Sequence, residues 1–344
     1  MELIVVSDKL AAWNVSEENY PRDGSLDDKL KFLLRYAVLA PSGPNNQPWK
    51  LSLQGDSVSL IADFGRALPN VDVNNRTLYM SCGCLLTNLL LAAEHFGFGY
   101  EVSYLPDGVD GERIARIRFV EGGNALRFPP LFRYITERHT NRKPYQKRAV
   151  EPDKLQRMLD SIDEQGFRLD IITDDARINA MSDLLARAHK IQLGNKAFRK
   201  ELASWVRSNT GDEKDGLPGY AFGYSDFESY FGSFIFGTFD MSGSRARVET
   251  AYMKASPAVA VLSSDKDDKP TWIKAGMVFE KLFLTATELD VRFDLFSQPV
   301  GIPELRKEMA DTLNVRYPQL LIRMGYAEPA MHTPRRPVEE VLVP

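Results

Sequence analysis

Chemistry in this chain starts from one loop, Pro41-Ser42-Gly43-Pro44-Asn45-Asn46-Gln47-Pro48-Trp49. Its prolines and glycine exclude regular helix, because proline lacks an N–H and restricts the residue before it. What remains is a rigid loop whose Ser42, Asn45, Asn46 and Gln47 offer donors and acceptors together. Such a loop suits the edge of a flat heterocycle; an ordinary helix-to-strand connection, with Trp49 as the first core residue, accounts for the same residues. Other reactive types are sparse. Cys82 and Cys84 are two apart on a predicted helix and point to different faces, which argues against a bridge between them. Four scattered histidines make no metal cluster, and no G-x-G-x-x-G fingerprint follows a strand.

The elements that must hold this loop follow from periodicity. At 344 residues, 44% hydrophobic and 26% charged, the chain reads as an ordinary globular protein, with length for roughly two domain-sized units. A net charge of −4 gives no electrostatic case for nucleic acid. Met1–Val6 is too short for a signal or membrane span, so a cytoplasmic location is expected. Residues 1–26 form a lead-in arm. A helix carrying Leu30, Phe32, Leu33 and Tyr36 precedes the loop, and alternation over Lys50–Ala62 predicts a strand pair. Leu78–Phe96 is apolar over most of its circumference, as in a buried helix, and strands follow at Tyr100–Leu105 and Ile114–Val120.

A Gly- and Pro-containing linker at 122–130 separates residues 27–121 from a second unit, 131–344. That unit is predicted to hold helices at Asp153–Gln165 and Asp175–Lys200. Its strands are Phe167–Ile172, Val259–Ser263, Val291–Leu295 and Gln319–Gly325, its long apolar helix is Trp272–Leu289, and an extended tail closes the chain. Residues 209–247 break all periodicity with interleaved glycines and aromatics. They are expected to form an irregular folded-over lid, the other reading being an aromatic helix hairpin. The two apolar helices echo each other: Gly83, Leu89, Leu91 and Ala93 match Gly276, Leu282, Leu284 and Ala286 at one constant offset. That is the pattern of two related units fused in one chain, or a chance likeness of Leu/Ala-rich helices.

Taken together, several segments resemble the flavin-dependent nitroreductase family in its fused, Acg-like branch. They are Ala40–Trp49, Arg76 with Ser81–Ala93, Arg138-His139-Thr140-Asn141-Arg142, Leu202–Arg207, Phe296–Pro299, and Leu321–Tyr326 with Pro334-Arg335-Arg336-Pro337. The resemblance runs from about Trp13 to the C-terminus. It implies an α+β, nitroreductase-like fold: two halves fused as a pseudo-dimer, each with a mainly antiparallel sheet and long buried helices. The first half has the P-S-x-x-N loop without the arginine segment, and the second has the reverse. One composite FMN site per chain is therefore implied.

By the same resemblance Arg138, Thr140, Arg142, Arg335 and Arg336 hold the FMN phosphate through forked, charge-assisted donors; read alone, they are a solvated helix start and a solvated tail. Pro41, Ser42, Gly43, Asn45 and Gln47 would meet the ring and ribityl chain, and Gln298 the flavin edge. Pro44 stands where a histidine is expected in this branch. The implied activity is hydride transfer from NAD(P)H through the flavin to an electron-poor small molecule such as a nitroaromatic or quinone, with no dedicated acid–base residue and no metal. A lid-covered FMN store with little turnover is the alternative, and an oxidase acting on a ring in a specialised substrate is a third reading. The implied assembly is a monomeric pseudo-dimer or a homodimer of it, with no nucleic-acid or membrane partner.

Overall fold

The structure, a computed structural model, describes residues 8–122 and 131–344. The Met1–Val6 run and the linker from 123 to 130 lie outside the described residues. In chain order the first unit contains α1 (Leu26–Ala37), β1 (Trp49–Gln54), β2 (Ser57–Ala62), α2 (Arg76–His95), β3 (Phe98–Tyr104) and β4 (Arg113–Glu121). The second begins with α3 (Pro152–Asp160) and β5 (Phe167–Ile172). It continues through α4 (Asp175–Gly194), α5 (Lys196–Ala203), β6 (Val206–Arg207), β7 (Leu217–Pro218), α6 (Asp226–Thr238) and α7 (Ser242–Lys254). It closes with β8 (Ala258–Ser264), α8 (Lys269–Glu288), β9 (Arg292–Leu295), α9 (Pro303–Leu313), β10 (Tyr317–Gly325) and α10 (Val338–Val341).

Two four-stranded antiparallel sheets result, ordered β1-β2-β4-β3 and β5-β8-β10-β9. The order is the same in each: a strand pair, a long helix, then an edge strand and its inner neighbour. The fold is α+β. Helices α2 and α8 cross between the sheets, and the crossing is reciprocal. A Cβ on Gly83 would strike Ile273 O, and one on Gly276 would strike Met80 O. Glycine is required at both because only a missing side chain lets the backbones meet. Helix α2 is long and apolar enough to cross a bilayer, yet 94% of its apolar window is buried inside the protein. Cys82 and Cys84 on it are buried and unbridged, donating to Pro48 O and Gly276 O respectively. Each fully buried Leu or Phe in this core contributes about 1.5–3 kcal/mol.

Between β5 and β8 lies the insertion α4–α7. The predicted single helix 175–200 breaks at Asn195, whose side chain caps the start of α5. Residues 209–247 are not irregular throughout. Ser225 and Glu228 form a capping box that starts α6, and α7 follows after Asp240 and Met241. The glycines that hid this helix face the body: Gly232 approaches Val206 and Gly237 approaches Ala203. The expected extended tail contains α10, and Leu342 bridges to Leu51 on β1.

Candidate functional site

The loop after α1 is held in an unusual shape. Asn45 and Gln47 both have positive φ, 59° and 46°. Asparagine adopts that region with some ease; for glutamine it costs about 1–3 kcal/mol and persists only where surroundings enforce it. Ser42 supplies part of the enforcement, its Oγ accepting from Gln47 N at 2.9 Å. Asn46 and Arg66 exchange bonds, Asn46 Nδ2 to Arg66 O (2.8 Å) and Arg66 Nε to Asn46 O (2.5 Å). Pro41 and Ser42 are half-buried, Gly43 is exposed, and Pro44, Asn45 and Gln47 are buried.

The tail and the insertion close on this loop together. Asn45 Nδ2 donates to Pro334 O (2.8 Å) and Gly216 O (2.9 Å), and its Oδ1 accepts from Arg335 Nη1 (2.7 Å). Gln47 Nε2 donates to Lys214 O (2.9 Å), and Arg336 N donates to Gln47 Oε1 (2.8 Å). Asp215 pairs with both Arg66 and Arg207. The leading arm joins in: Lys9 Nζ donates to Asn209 O and Gly211 O, and Trp13 donates to Thr333 O while stacking on His332. Beyond the loop lies an open cavity of about 550 Å³ lined by Arg66, Arg207, Asp215, Arg336 and Glu340 among others.

Behind the loop is a buried charge centre. Arg138 follows a 3-10 turn at Leu131–Tyr134 and is 1% exposed, while Glu280 of α8 is 0% exposed. Arg138 Nη2 donates to Leu39 O (3.0 Å), and Arg335 Nε points to Leu39 O (3.3 Å) and Ala40 O (3.1 Å). Two guanidiniums thus converge on one carbonyl. Arg138 Nε stands 3.2 Å from Glu280 Oε1, an ion pair that falls short of hydrogen-bond geometry. Both Glu280 oxygens and Arg138 Nε therefore have no hydrogen-bond partner among the described residues.

Burial pushes the Glu280 carboxyl up to about 7 against the pull of Arg138 and Arg335. Burial, then Arg138, brings Arg335 down to about 9. Beside them burial, with His139 and the two arginines, holds His332 down at about 3. The centre holds two cations against one reluctant carboxylate. It is short of negative charge.

The remaining predicted residues divide between two places. Arg142 does not join Arg138; its Nε is 4.0 Å from Asp294 and its guanidinium lies 6.0 Å from the Phe222 ring of the insertion. Asp294 also pairs with Arg323 at 3.0 Å, and burial raises its carboxyl. Thr140 is half-buried on the segment between the two arginines, next to Asn141, whose N donates to Phe293 O on β9. Gln298, past the end of β9, has a buried Oε1 without a partner among the described residues, and its carbonyl accepts from Gln192. Arg336 turns its Nη2 to Glu340 O (2.6 Å) and leaves Nη1 buried without a partner among the described residues. The structure therefore joins Arg138, Arg335 and Asn45, attaches Arg336 through its backbone, and sets Arg142 apart.

Sequence reasoning missed Glu280, Leu39, Trp13 and His332. A signal existed for Glu280: an acidic residue inside an apolar helical run is either exposed or paired. Among the described residues no group of His, Cys, Asp and Glu could hold a metal ion.

No family model matches the chain. A Mycobacterium tuberculosis H37Rv protein bearing the provisional name NAD(P)H nitroreductase acg is 26% identical over 341 residues, covering 91% of this chain and 95% of that one. A Serratia protein provisionally named NAD(P)H nitroreductase PigM is 22% identical over 339 residues, covering 92% and 94%. Among solved structures, the FMN- and NADPH-dependent nitroreductase NfnB from Sphingopyxis overlays 62% of this chain and 97% of its own at TM-score 0.43 and 16% identity.

Proposed function

We propose that this chain, homologous over nine-tenths of its length to the Acg-type protein of the nitroreductase family, is an FMN-binding oxidoreductase. In this reading the chain is a fused pseudo-dimer, with the two equally ordered sheets as its halves. It passes reducing equivalents from NAD(P)H to an electron-poor small molecule. The charge shortage at Arg138, Arg335 and Glu280 carries the reading, because a phosphate dianion is what that centre lacks.

Arg138 and Arg335 would hold the phosphate, with Thr140 beside them and Arg336 at the loop's other side. Pro41, Ser42, Gly43, Asn45 and Gln47 would meet the ring and ribityl chain. Arg142 and Gln298, apart from the phosphate pair, would face the ring. FMN, when bound, supplies the hydride chemistry. The chain's own work is to neutralise the phosphate, fix the ring through a loop held at positive φ, and keep water out. Burial leaves Arg335 an uncomfortable cation, and an added anion relieves that.

The closed lid favours a second reading, an FMN store with little turnover. Lys214 and Gly216 take the donors of Asn45 and Gln47, and Phe222 lies over Arg142. The experiment is anaerobic addition of NADH or NADPH to the flavin-loaded protein. Rapid bleaching of the flavin band is expected. Photoreduction without bleaching by either nucleotide would favour the store, and failure to take up FMN would overturn both.

A further inference from the structure

Helix α6 is built inside out. Its small residues pack inward, with one aromatic, Phe236, beside them: Ser229 and Gly232 are buried, Ser233 Oγ donates to Ala203 O at 2.9 Å, and Gly237 approaches Ala203. The side chains that would gain most from burial face outward. Phe227 is 76% exposed, Tyr230 67%, Phe231 50%, Phe234 62% and Phe239 54%. Phe227, Tyr230, Phe231 and Phe234 recur at helical spacing, and Phe239 follows at the C-cap; they touch in two pairs, Phe227 and Phe231 with centroids 5.6 Å apart and Phe234 and Phe239 6.1 Å apart. At roughly 200 Å² per aromatic side chain the strip offers about 600 Å². That is the upper end of what a monomer normally leaves uncovered.

We propose that this face is a homodimer interface, covered by the same face of a second copy of this chain. Two such strips together bury about 1,200 Å², the lower bound of a stable interface, and a two-fold axis makes one patch serve both sides. The pairing is antiparallel. Asp226 and Glu228 stand in the first turn of α6, and a parallel pair would press four carboxylates together at one end. Antiparallel packing sends them to opposite ends and opposes the helix dipoles.

A bilayer is the poorer occupant. Interfacial helices carry Lys or Arg on their polar face, whereas Asp226–Thr238 contains neither and Asp240 follows it. The proposal stands on this face alone and does not depend on flavin binding.

Sedimentation velocity of the full chain up to about 100 µM, a range that detects dimers down to weak affinity, tests it. Twice the 38.9 kDa chain mass is expected. Phe231→Glu, and independently Phe234→Lys, should weaken self-association at least tenfold, with the unfolding temperature of the dilute, dissociated chain unchanged, since both side chains point to solvent in the monomer. A wild-type chain that stays monomeric throughout overturns the proposal. So does either variant dimerising like wild type, or a monomer that co-floats with anionic phosphatidylserine vesicles.

Discussion

The buried centre at Arg138 contrasts with a cavity lined from α2, β3 and α8. At the offset that joins Gly83 to Gly276, Glu280 corresponds to Thr87, Phe283 to Leu90, Phe293 to Tyr100 and Leu295 to Val102. In the opposite direction Cys84 corresponds to Met277 and Asn88 to Lys281. Thr87, Leu90, Tyr100, Val102, Met277 and Lys281, with Leu91 and Tyr104, line a half-open cavity of about 280 Å³. In the second half the same place is filled: Asn141 bonds to Phe293, and Arg138 lies over the Phe283 ring, 5.0 Å from its centroid.

The difference lies in the leading segments. Residues 138–141 run against β9, whereas the described part of the first half's arm leaves its own sheet and reaches the insertion and tail through Lys9 and Trp13. One half keeps the cations, and the other keeps a cavity whose lining cation, Lys281, pairs with Asp163. Two equally ordered sheets thus come with one such charged centre among the described residues.

The largest expected effect breaks that contrast at its root. Arg138→Ala leaves Glu280 buried without its ion pair and should cost about 3–5 kcal/mol of stability. Lys281→Ala, at the equivalent place but paired with a half-exposed Asp163, should cost at most about 1 kcal/mol. Chemical denaturation of both variants reads the difference, and equal losses would erase the contrast. Next come the positions where the halves are alike. Gly83→Ala and Gly276→Ala each drive a methyl into the facing backbone and should each cost about 1–3 kcal/mol or more. Markedly unequal melting shifts would break the reciprocity of the crossing.

Arg142→Ala should loosen FMN about tenfold, the worth of one charge-assisted hydrogen bond, with little change in the melting temperature of the flavin-free protein. Unchanged affinity in a flavin titration would remove Arg142 from the site. A further prediction is in pH. His332 is held at about 3, below its ordinary 6.5, so its contribution is intact above pH 6.5 and is lost as pH falls toward 3. Glu280, raised from 4.5 to about 7, has the opposite sign: its contribution is present below pH 4.5 and is lost as pH rises through 7. His332→Gln should therefore flatten the acid side of a melting-temperature profile while leaving the fall from pH 4.5 to 7 in place.

The scaffold was more legible than the site. Apolar runs marked α2 and α8 because a helix buried all round has no polar face to confuse its period, and the matched glycines marked where the two helices meet. Loop 41–49 was legible because proline and glycine constrain backbone locally. Helices α6 and α7 were not, because α6 turns glycine and serine inward and most of its aromatics outward, reversing the pattern that periodicity relies on. Glu280 was hidden because its partners, Arg138 and Arg335, arrive from distant segments. The separation of Arg142 from Arg138 could not be read from spacing either: Asn141 anchors to β9 between them and sends the two guanidiniums to different neighbours.

The flavin content of the protein tests the central claim most directly. After saturation with FMN and removal of excess, the flavin released by denaturation is measured against chain concentration. One cation-rich centre and one cavity whose lining Lys281 is already paired predict one FMN per chain, reduced to near zero in an Arg138→Ala, Arg335→Ala variant that still folds. Two FMN per chain, or full retention by that variant, would contradict the account.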